Sequence, residues 1–130
     1  MRTEDFAYVV TTQQSFDEAV VSVLRVIEQK GWALFGIYDV GERLAAKGFT
    51  REPLKIIEVC SAKHAAGFLE TDTLASLCMP CKVNVFEESG EVKIASMRPS
   101  VMTQFFPEVD AESAAVAERD IREIVDVAAR

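Results

Sequence analysis

Residues 15–31, SFDEAVVSVLRVIEQKG, carry the signals of a complete helix, including both of its ends. Ser15 and Glu18 have the spacing of a capping box, in which each side chain accepts a hydrogen bond from the other residue's backbone amide. Lys30 complements the negative end of the helix dipole, and Gly31 is free to adopt the left-handed conformation that ends many helices. The apolar residues between these ends recur at helical spacing: Phe16, Ala19, Val20, Val23, Leu24 and Ile27. The pattern predicts an amphipathic helix over residues 15–30 that lays one apolar face on a sheet.

A second amphipathic helix is predicted over residues 110–129. Asp110 is a favourable N-cap residue. The apolar residues that follow it form one face: Ala114, Ala117, Ile121, Ile124, Val125 and Ala128. Glu118, Arg122 and Asp126 succeed one another at four-residue spacing, and this predicts two ion pairs on the outside of the helix.

The strands are predicted from short apolar segments bounded by turn residues. They cover residues 7–12, 31–39, 54–60, 81–88 and 91–96. Ser89-Gly90 predicts a tight hairpin between the last two strands, and shorter helices are predicted after Asp39, Ser61 and Pro99. The sequence therefore predicts one α+β domain over residues 1–130, a two-layer sandwich in which helices pack on a sheet of about five strands.

The predicted strands are apolar on more than one side. Residues 31–39, GWALFGIYD, are apolar on both alternations, which predicts that both faces of this strand are covered. In the hairpin, one alternation carries Val83 and Val85, and the other carries Phe86 and Ala95 together with Ile57 of the preceding strand. A second apolar sheet face needs a cover. Two covers stay open, the C-terminal helix or a second copy of the chain, and we expect a homodimer formed partly through the sheet.

The composition excludes several classes of function. The chain has 130 residues, 49% of them hydrophobic, with a net charge of −7. This acidic balance argues against binding of nucleic acid or an anionic membrane surface. The sequence contains no G-x-G-x-x-G, P-loop or G-x-S-x-G motif, and no apolar run long enough for a membrane span. The odd number of cysteines, three, and an N-terminus unlike a signal peptide lead us to expect a cytoplasmic protein.

The residues that most favour a metal site lie close together in the sequence. Cys60, His64, Cys78 and Cys81 form the pattern C-x3-H-x13-C-x2-C. A set of three cysteines and one histidine is a known closed zinc site, so zinc is a candidate ligand. Two features oppose it: strand alternation directs Cys81 inward beside Val83, and the glycine expected after the second cysteine of a zinc knuckle is missing.

The same residues allow thiol chemistry. Cys60 falls where a strand gives way to a helix that begins at Ser61, and free amides at a helix N-terminus favour a thiolate. Glu58 shares the strand alternation of Cys60 and is a candidate acid or base. We expect Cys81 to approach Cys60 while Cys78 points elsewhere. Free cysteines are also among the most buried residues, so packing without chemistry is the third interpretation.

Three segments together resemble the family called domain of unknown function 302. They are GWALFGIYDV with GERLAAKGF, then LKIIEVCSAKHAAGFL, and finally LCMPCKVNVFEESGEVKIASM. The resemblance covers roughly Val23 to Met102 and implies a compact two-layer α/β protein of bacteria or archaea that assembles as a dimer. It also implies that cysteines at the positions of Cys60 and Cys81 are more regular in the family than Cys78 or His64.

Two functional hypotheses follow from these residues. The first is a binding module with a small-ligand or metal cleft near Cys60 and Cys81, and the metal set would be Cys60, His64, Cys78 and Cys81. The alternative is a thiol-based redox or sulfur-handling protein that uses Cys60 as a thiolate, with Cys81 and Glu58 as the other catalytic candidates.

Overall fold

The computed structural model describes all 130 residues and contains one antiparallel sheet. Its strands are β1 (Ala7–Thr12), β2 (Ala33–Asp39), β3 (Leu54–Cys60), β4 (Cys81–Glu88) and β5 (Glu91–Met97). They lie in the order β1-β5-β4-β3-β2, so β4 is the central strand and β1 and β2 are the edges. The prediction of an α+β sandwich is confirmed, and only the second strand begins later than predicted.

Helices connect the strands. They are α1 (Thr3–Phe6), α2 (Phe16–Lys30), α3 (Val40–Ala45), α4 (Ala62–Thr71), α5 (Met102–Phe105) and α6 (Ala111–Ala128). Two 3₁₀ turns cover Thr73–Cys78 and Pro99–Val101. The one-turn helix α1 was not predicted, since so short a segment has no apolar periodicity. None of the helices combines the length and the apolar character needed to span a membrane.

The local signals at the ends of the long helices are confirmed. Ser15 Oγ accepts a hydrogen bond from the Glu18 amide at 3.2 Å, and Glu18 Oε1 accepts one from the Ser15 amide at 3.0 Å. Gly31 ends α2 with a φ of +78°, in the left-handed region that favours glycine. Asp110 Oδ2 accepts a hydrogen bond from the Ser113 amide at the start of α6. These contacts satisfy amides that a helix N-terminus leaves without partners.

The core lies between one face of the sheet and the paired helices α2 and α6. The apolar face of α2 and the second half of the apolar face of α6 point into it, and Ile57, Val83, Val85 and Ile94 supply the sheet side. Ala114 and Ala117, at the start of α6, pack in a second cluster with Phe68 and Met102. Ile57 was predicted on the opposite face, and that prediction is wrong. The register pairs Ile57 with Val83, and directly paired residues of antiparallel strands share a face.

The other sheet face, which we call the open face, is not covered by α6. The C-terminal helix packs beside α2 on the core side instead. Within the single chain, the predicted cover on both faces of the second strand is not present. Leu34 and Phe35 are 48% and 60% exposed, because β2 is an edge strand and its register is interrupted between Leu34 and Gly36.

Of the two ion pairs predicted on the last helix, Glu118–Arg122 is present and Arg122–Asp126 is not, and Glu118 is buried rather than on the outside. Glu118 is only 9% exposed; it accepts hydrogen bonds from Arg98 Nε at 3.1 Å and from the Ser100 amide and hydroxyl. Arg122 reaches Glu118 at 3.4 Å but not Asp126, which accepts a hydrogen bond from the Tyr8 hydroxyl. The sequence pattern could not show that the segment after β5 folds back onto this side of the helix.

The surroundings of Glu118 act on its pKa in opposite directions. Burial raises the pKa of Glu118, but hydrogen bonds from Ser100 and the hydrogen bond and charge of Arg98 outweigh burial and leave the pKa lowered. The ionised carboxylate is therefore the form that the fold stabilises.

We predict that Glu118→Gln lowers the free energy of unfolding by about 2 kcal/mol at pH 7, because it leaves Arg98 without its charged partner. Since folding lowers the pKa of Glu118, its contribution is present above the unfolded pKa of about 4.3 and is lost as pH falls through the lower folded value. Urea denaturation across this range should show the difference between wild type and variant shrinking on acidification.

Glu108→Gln is the matched control, because Glu108 is exposed and its carboxylate takes part in no ion pair of the structure. It should unfold like the wild type. Equal stability of the Glu118 variant at pH 7 would contradict a stabilising role for the Glu118 ion pairs.

Candidate functional site

The predicted site residues meet at one end of the sheet. Cys60 is the last residue of β3, and Cys81, the first residue of β4, pairs with Val59. Helix α4 begins directly after the cap residue Ser61 and carries His64. The 3₁₀ turn that follows α4 ends at Cys78. The local order strand, helix, turn, strand therefore returns the chain to the place where Cys60 left the sheet.

These elements enclose a small cavity of about 30 Å³. Its walls are mostly apolar and include all four soft ligands that the sequence singled out: Cys60, His64, Cys78 and Cys81. Cys78 is also a wall residue of this cavity, but it packs against a second apolar cluster that includes Phe68 and Met102, whereas Cys81 packs against the main core. This volume is enough for a water molecule and too small for most metabolites.

The cysteines around this cavity are free, and a raised pKa makes the thiols of Cys60 and Cys81 poor nucleophiles. The structure contains no disulfide. Burial raises the pKa of the Cys60 thiol. Burial raises the pKa of the Cys81 thiol too, and the neighbouring Cys60 raises it further. Both thiols are therefore protonated at neutral pH.

A hydrogen bond at the start of α4 competes with the expected stabilisation of a Cys60 thiolate by this helix. Ser61 Oγ accepts a hydrogen bond from the His64 amide at 3.4 Å, so the cap residue itself engages an amide at this N-terminus. Fewer free amides are therefore left at this helix N-terminus to stabilise a Cys60 thiolate than the sequence indicated.

His64 has a partner that the sequence analysis did not find. Its Nε2 lies 2.7 Å from Asp120 Oδ2, and Asp120 Oδ1 lies 3.4 Å from Lys30 Nζ. Burial raises the pKa of Asp120, but the His64 hydrogen bond and the Lys30 charge outweigh it and leave the pKa lowered. One signal was available: Asp120 lies three residues after Ala117 and four before Ile124, at the edge of the buried face of α6.

The arrangement does not form a metal centre. No group of three or more His, Cys, Asp or Glu side chains is positioned to hold a metal ion. One ring nitrogen of His64 is also directed at Asp120 rather than at the thiols. The four predicted ligands are therefore neighbours around a cavity, without the closed tetrahedral geometry that zinc prefers.

Of the three catalytic candidates, Cys60 and Cys81 line the same cavity, whereas Glu58, which shares the strand alternation of Cys60, is not a wall residue of it. Glu58 pairs with Lys82 across the strands and accepts a hydrogen bond from the Tyr38 hydroxyl at 2.7 Å. Like Lys82, it belongs to the open face, whereas Cys81 belongs to the core face beside Val83. Glu58 also lines neither the small cavity nor the groove described next.

A larger groove adjoins the small cavity and shares four of its wall residues, Cys78, Pro80, Cys81 and Met102. Its volume is about 520 Å³. The polar side chains along it are Lys82, Asn84, Ser96 and Arg98; its apolar walls include Phe6, Leu77, Met97 and Pro99. Met97 is 58% exposed here, whereas Met102 is buried.

Sequence reasoning missed this groove because its walls come from distant parts of the chain. The signal that was present is Asn84, an amide in the middle of the apolar run KVNVF. Asn84 Oδ1 is buried and has no hydrogen-bond partner.

Comparison with known proteins agrees with the fold. The family model described as "Domain of unknown function DUF302" matches residues 8–128. The chain belongs to the DUF302 family. It is similar to the solved crystal structure of an uncharacterized conserved DUF302 protein from Bacillus stearothermophilus, with 28% identity, a TM-score of 0.88, and coverage of 96% of this chain and 98% of that chain. No curated protein matches the chain. DUF302 membership thus confirms the resemblance and adds no activity.

We predict that iodoacetamide modifies Cys60 and Cys81 of this DUF302 protein more slowly at pH 7 than a cysteine in the unfolded chain. The reason is that burial raises the pKa of both thiols, so the reactive thiolate is scarce. Mass spectrometry of the variants Cys78→Ala/Cys81→Ala and Cys60→Ala/Cys78→Ala isolates each thiol. The same variants in urea provide the unfolded reference, and faster labelling of the folded Cys60 would reveal a working thiolate.

Proposed function

We propose that this DUF302 protein is a binding module that holds a small molecule in the groove beside Cys81. The observation that carries the proposal is the groove itself, about 520 Å³ with mostly apolar walls and a few polar side chains. Small-molecule sites typically have about 300–1,000 Å³ and this kind of lining. The neighbouring cavity of about 30 Å³ is then a buried extension of the groove.

The walls indicate the chemistry of the ligand. Leu77 and Met97 are 78% and 58% exposed, so they offer apolar surface that a ligand would remove from water. Of the two cations in the groove, Lys82 makes fewer hydrogen bonds, since its Nζ donates only to the Pro80 carbonyl at 3.3 Å. Arg98 is already held by Glu118 and by the Glu4 carbonyl. These contacts favour a ligand with an alkyl or aryl body and an anionic or strongly accepting head group near Lys82.

Thiol chemistry is the second candidate, and one observation favours it: three thiols line the same small cavity. Against it stand the raised pKa values of Cys60 and Cys81, both caused first by burial. A protonated, buried thiol packs against a ligand as a small apolar group. Binding in the groove is therefore compatible with the protonated thiols of Cys60 and Cys81 that the fold favours. Redox or sulfur-handling chemistry would need a thiolate instead.

We expect short alkyl and aryl carboxylates, tested singly by ligand-observed NMR, to include binders whose affinity depends on the groove. Lys82→Ala should weaken them by about tenfold, because a charge-assisted hydrogen bond is lost. The matching carboxamides should be affected less by the same substitution. Lys47→Ala is the control, since Lys47 is exposed and is not part of the groove wall.

The position of a bound fragment is checked independently of its head group. Chemical-shift changes in ¹⁵N-labelled protein should centre on residues 77–82 and 95–98. Binding that leaves these amides unshifted, or that is equal in the Lys82 and Lys47 variants, contradicts the proposal.

A further inference from the structure

The sheet divides at the end where the groove lies. The residues of β4 and β5 pair from the hairpin as far as Asn84 with Ala95, and the pairing ends there. Both strands nevertheless continue, β4 through residues 81–83 and β5 through residues 96–97. We call the gap between these two unpaired ends the fork. Residues from both of its sides line the groove.

Each side of the fork is held in the sheet by its outer neighbour. β4 stays paired with β3 as far as Cys81. β5 stays paired with β1 as far as Met97, and one residue further the Arg98 amide donates a hydrogen bond to the Phe6 carbonyl at 2.7 Å. The two strands therefore follow different partners and separate between them.

The backbone groups that face the fork are those of Lys82 and Met97. Along an antiparallel strand, successive residues direct their amide and carbonyl groups to opposite neighbours. The Arg98 amide is directed at β1, so the amide and carbonyl of Met97 are directed at β4. The Glu87 amide donates to the Pro53 carbonyl on the β3 side. The same alternation directs the amide and carbonyl of Lys82 at β5.

Two of these groups have no ladder partner. In a continuous ladder the Lys82 amide would donate to the Met97 carbonyl, but this pair is absent from the register. The Ser96 Oγ lies 2.6 Å from the Lys82 carbonyl and 3.3 Å from the Met97 carbonyl. A hydroxyl carries one proton, and it donates to the nearer carbonyl. A donor, the Lys82 amide, and an acceptor, the Met97 carbonyl, are therefore left on opposite sides of the fork.

We propose that the fork binds the secondary amide of an N-acyl amino acid. The proposal rests on the proposed function and names the class of ligand that the groove holds. The C=O and N–H of a trans amide point in opposite directions. One ligand amide therefore accepts a hydrogen bond from the Lys82 amide and donates one to the Met97 carbonyl. Strand addition at a free sheet edge uses the same main-chain hydrogen bonds.

The surroundings of the fork fit the two ends of such a ligand. Lys82 Nζ lies 3.3 Å from the carbonyl of Pro80, just before the start of β4, so the cation is beside the carboxylate that follows the amide. The exposed side chains of Leu77 and Met97 line the groove and cover the acyl chain. A free amino acid lacks the acyl carbonyl and brings an ammonium close to Lys82, so the site selects the acylated form.

A pair of matched ligands tests the amide apart from the carboxylate. N-hexanoylglycine should bind the wild-type protein about tenfold more tightly than its ester analogue, hexanoyloxyacetate, in NMR titrations. The ester oxygen cannot donate a hydrogen bond, so the Met97 carbonyl stays unpaired. Lys82→Ala should weaken binding of both ligands by the same factor, because it removes Nζ and keeps the backbone amide.

Hydrogen exchange of the ¹⁵N-labelled protein locates the contact at one amide. In the free protein, the Lys82 amide should exchange faster than the Phe86 amide. Phe86 is the matched reference because it lies on the same strand and is paired with Lys93 on β5. Saturation with N-hexanoylglycine should slow the exchange of the Lys82 amide by at least about tenfold, because the ligand carbonyl then accepts its hydrogen bond.

Three outcomes would overturn the assignment of the fork and leave ligand binding in the groove intact. The first is equal affinity for N-hexanoylglycine and its ester, with both weakened in Lys82→Ala. The second is a Lys82 amide as protected as that of Phe86 in the free protein, since the fork would then be closed. The third is binding of simple carboxylates without binding of N-hexanoylglycine. If no carboxylate binds at all, the proposed function is wrong and the assignment of the fork is wrong with it.

Discussion

The structure depends on the burial of two apolar helix faces, those of α2 and α6, against the same face of one sheet. This burial fixes which alternation of every strand is inside, because a strand exposes alternate side chains to opposite faces. Ile57, Val83 and Ile94 are buried together for that reason. It also leaves the opposite face without either of the two long helices, and the connection between β3 and β4 runs around one end of the sheet, where the cysteines lie.

Much of the fold was predictable because its signals are local. The cap at Ser15, the left-handed Gly31 and the Ser89-Gly90 turn each involve residues a few positions apart, and each is present in the structure. Ile57 was interpreted wrongly, and the exposure of β2 within the single chain was not predicted, because their surroundings are set by pairing between distant segments. The side chain of Ile57 follows its pairing with Val83, and the exposure of Phe35 follows from an edge position that no short-range pattern encodes.

The candidate site was predictable as a set of residues and not as a mechanism. The pattern of one histidine and three cysteines indicated the right neighbourhood, since all four side chains line one cavity. The protonation of Cys60 depends on burial, and the orientation of His64 depends on Asp120 from a helix 56 positions away. Such long-range contacts decide whether a cluster binds a metal, reacts or packs. Here the comparisons establish the family and the fold, and the proposals of function rest on the geometry.

The contacts of Arg98 connect the two ends of the chain. Its amide donates to the Phe6 carbonyl, its guanidinium donates to the Glu4 carbonyl, and its Nε donates to Glu118 on the last helix. Phe6 and Arg98 are both in the groove wall. If the N-terminal turn or the last helix unfolds locally, Arg98 loses the contacts that hold it in this wall. The groove is then incomplete whenever either terminus is locally unfolded. Any molecule that binds only the complete groove must therefore shift this local unfolding equilibrium and protect both termini from hydrogen exchange.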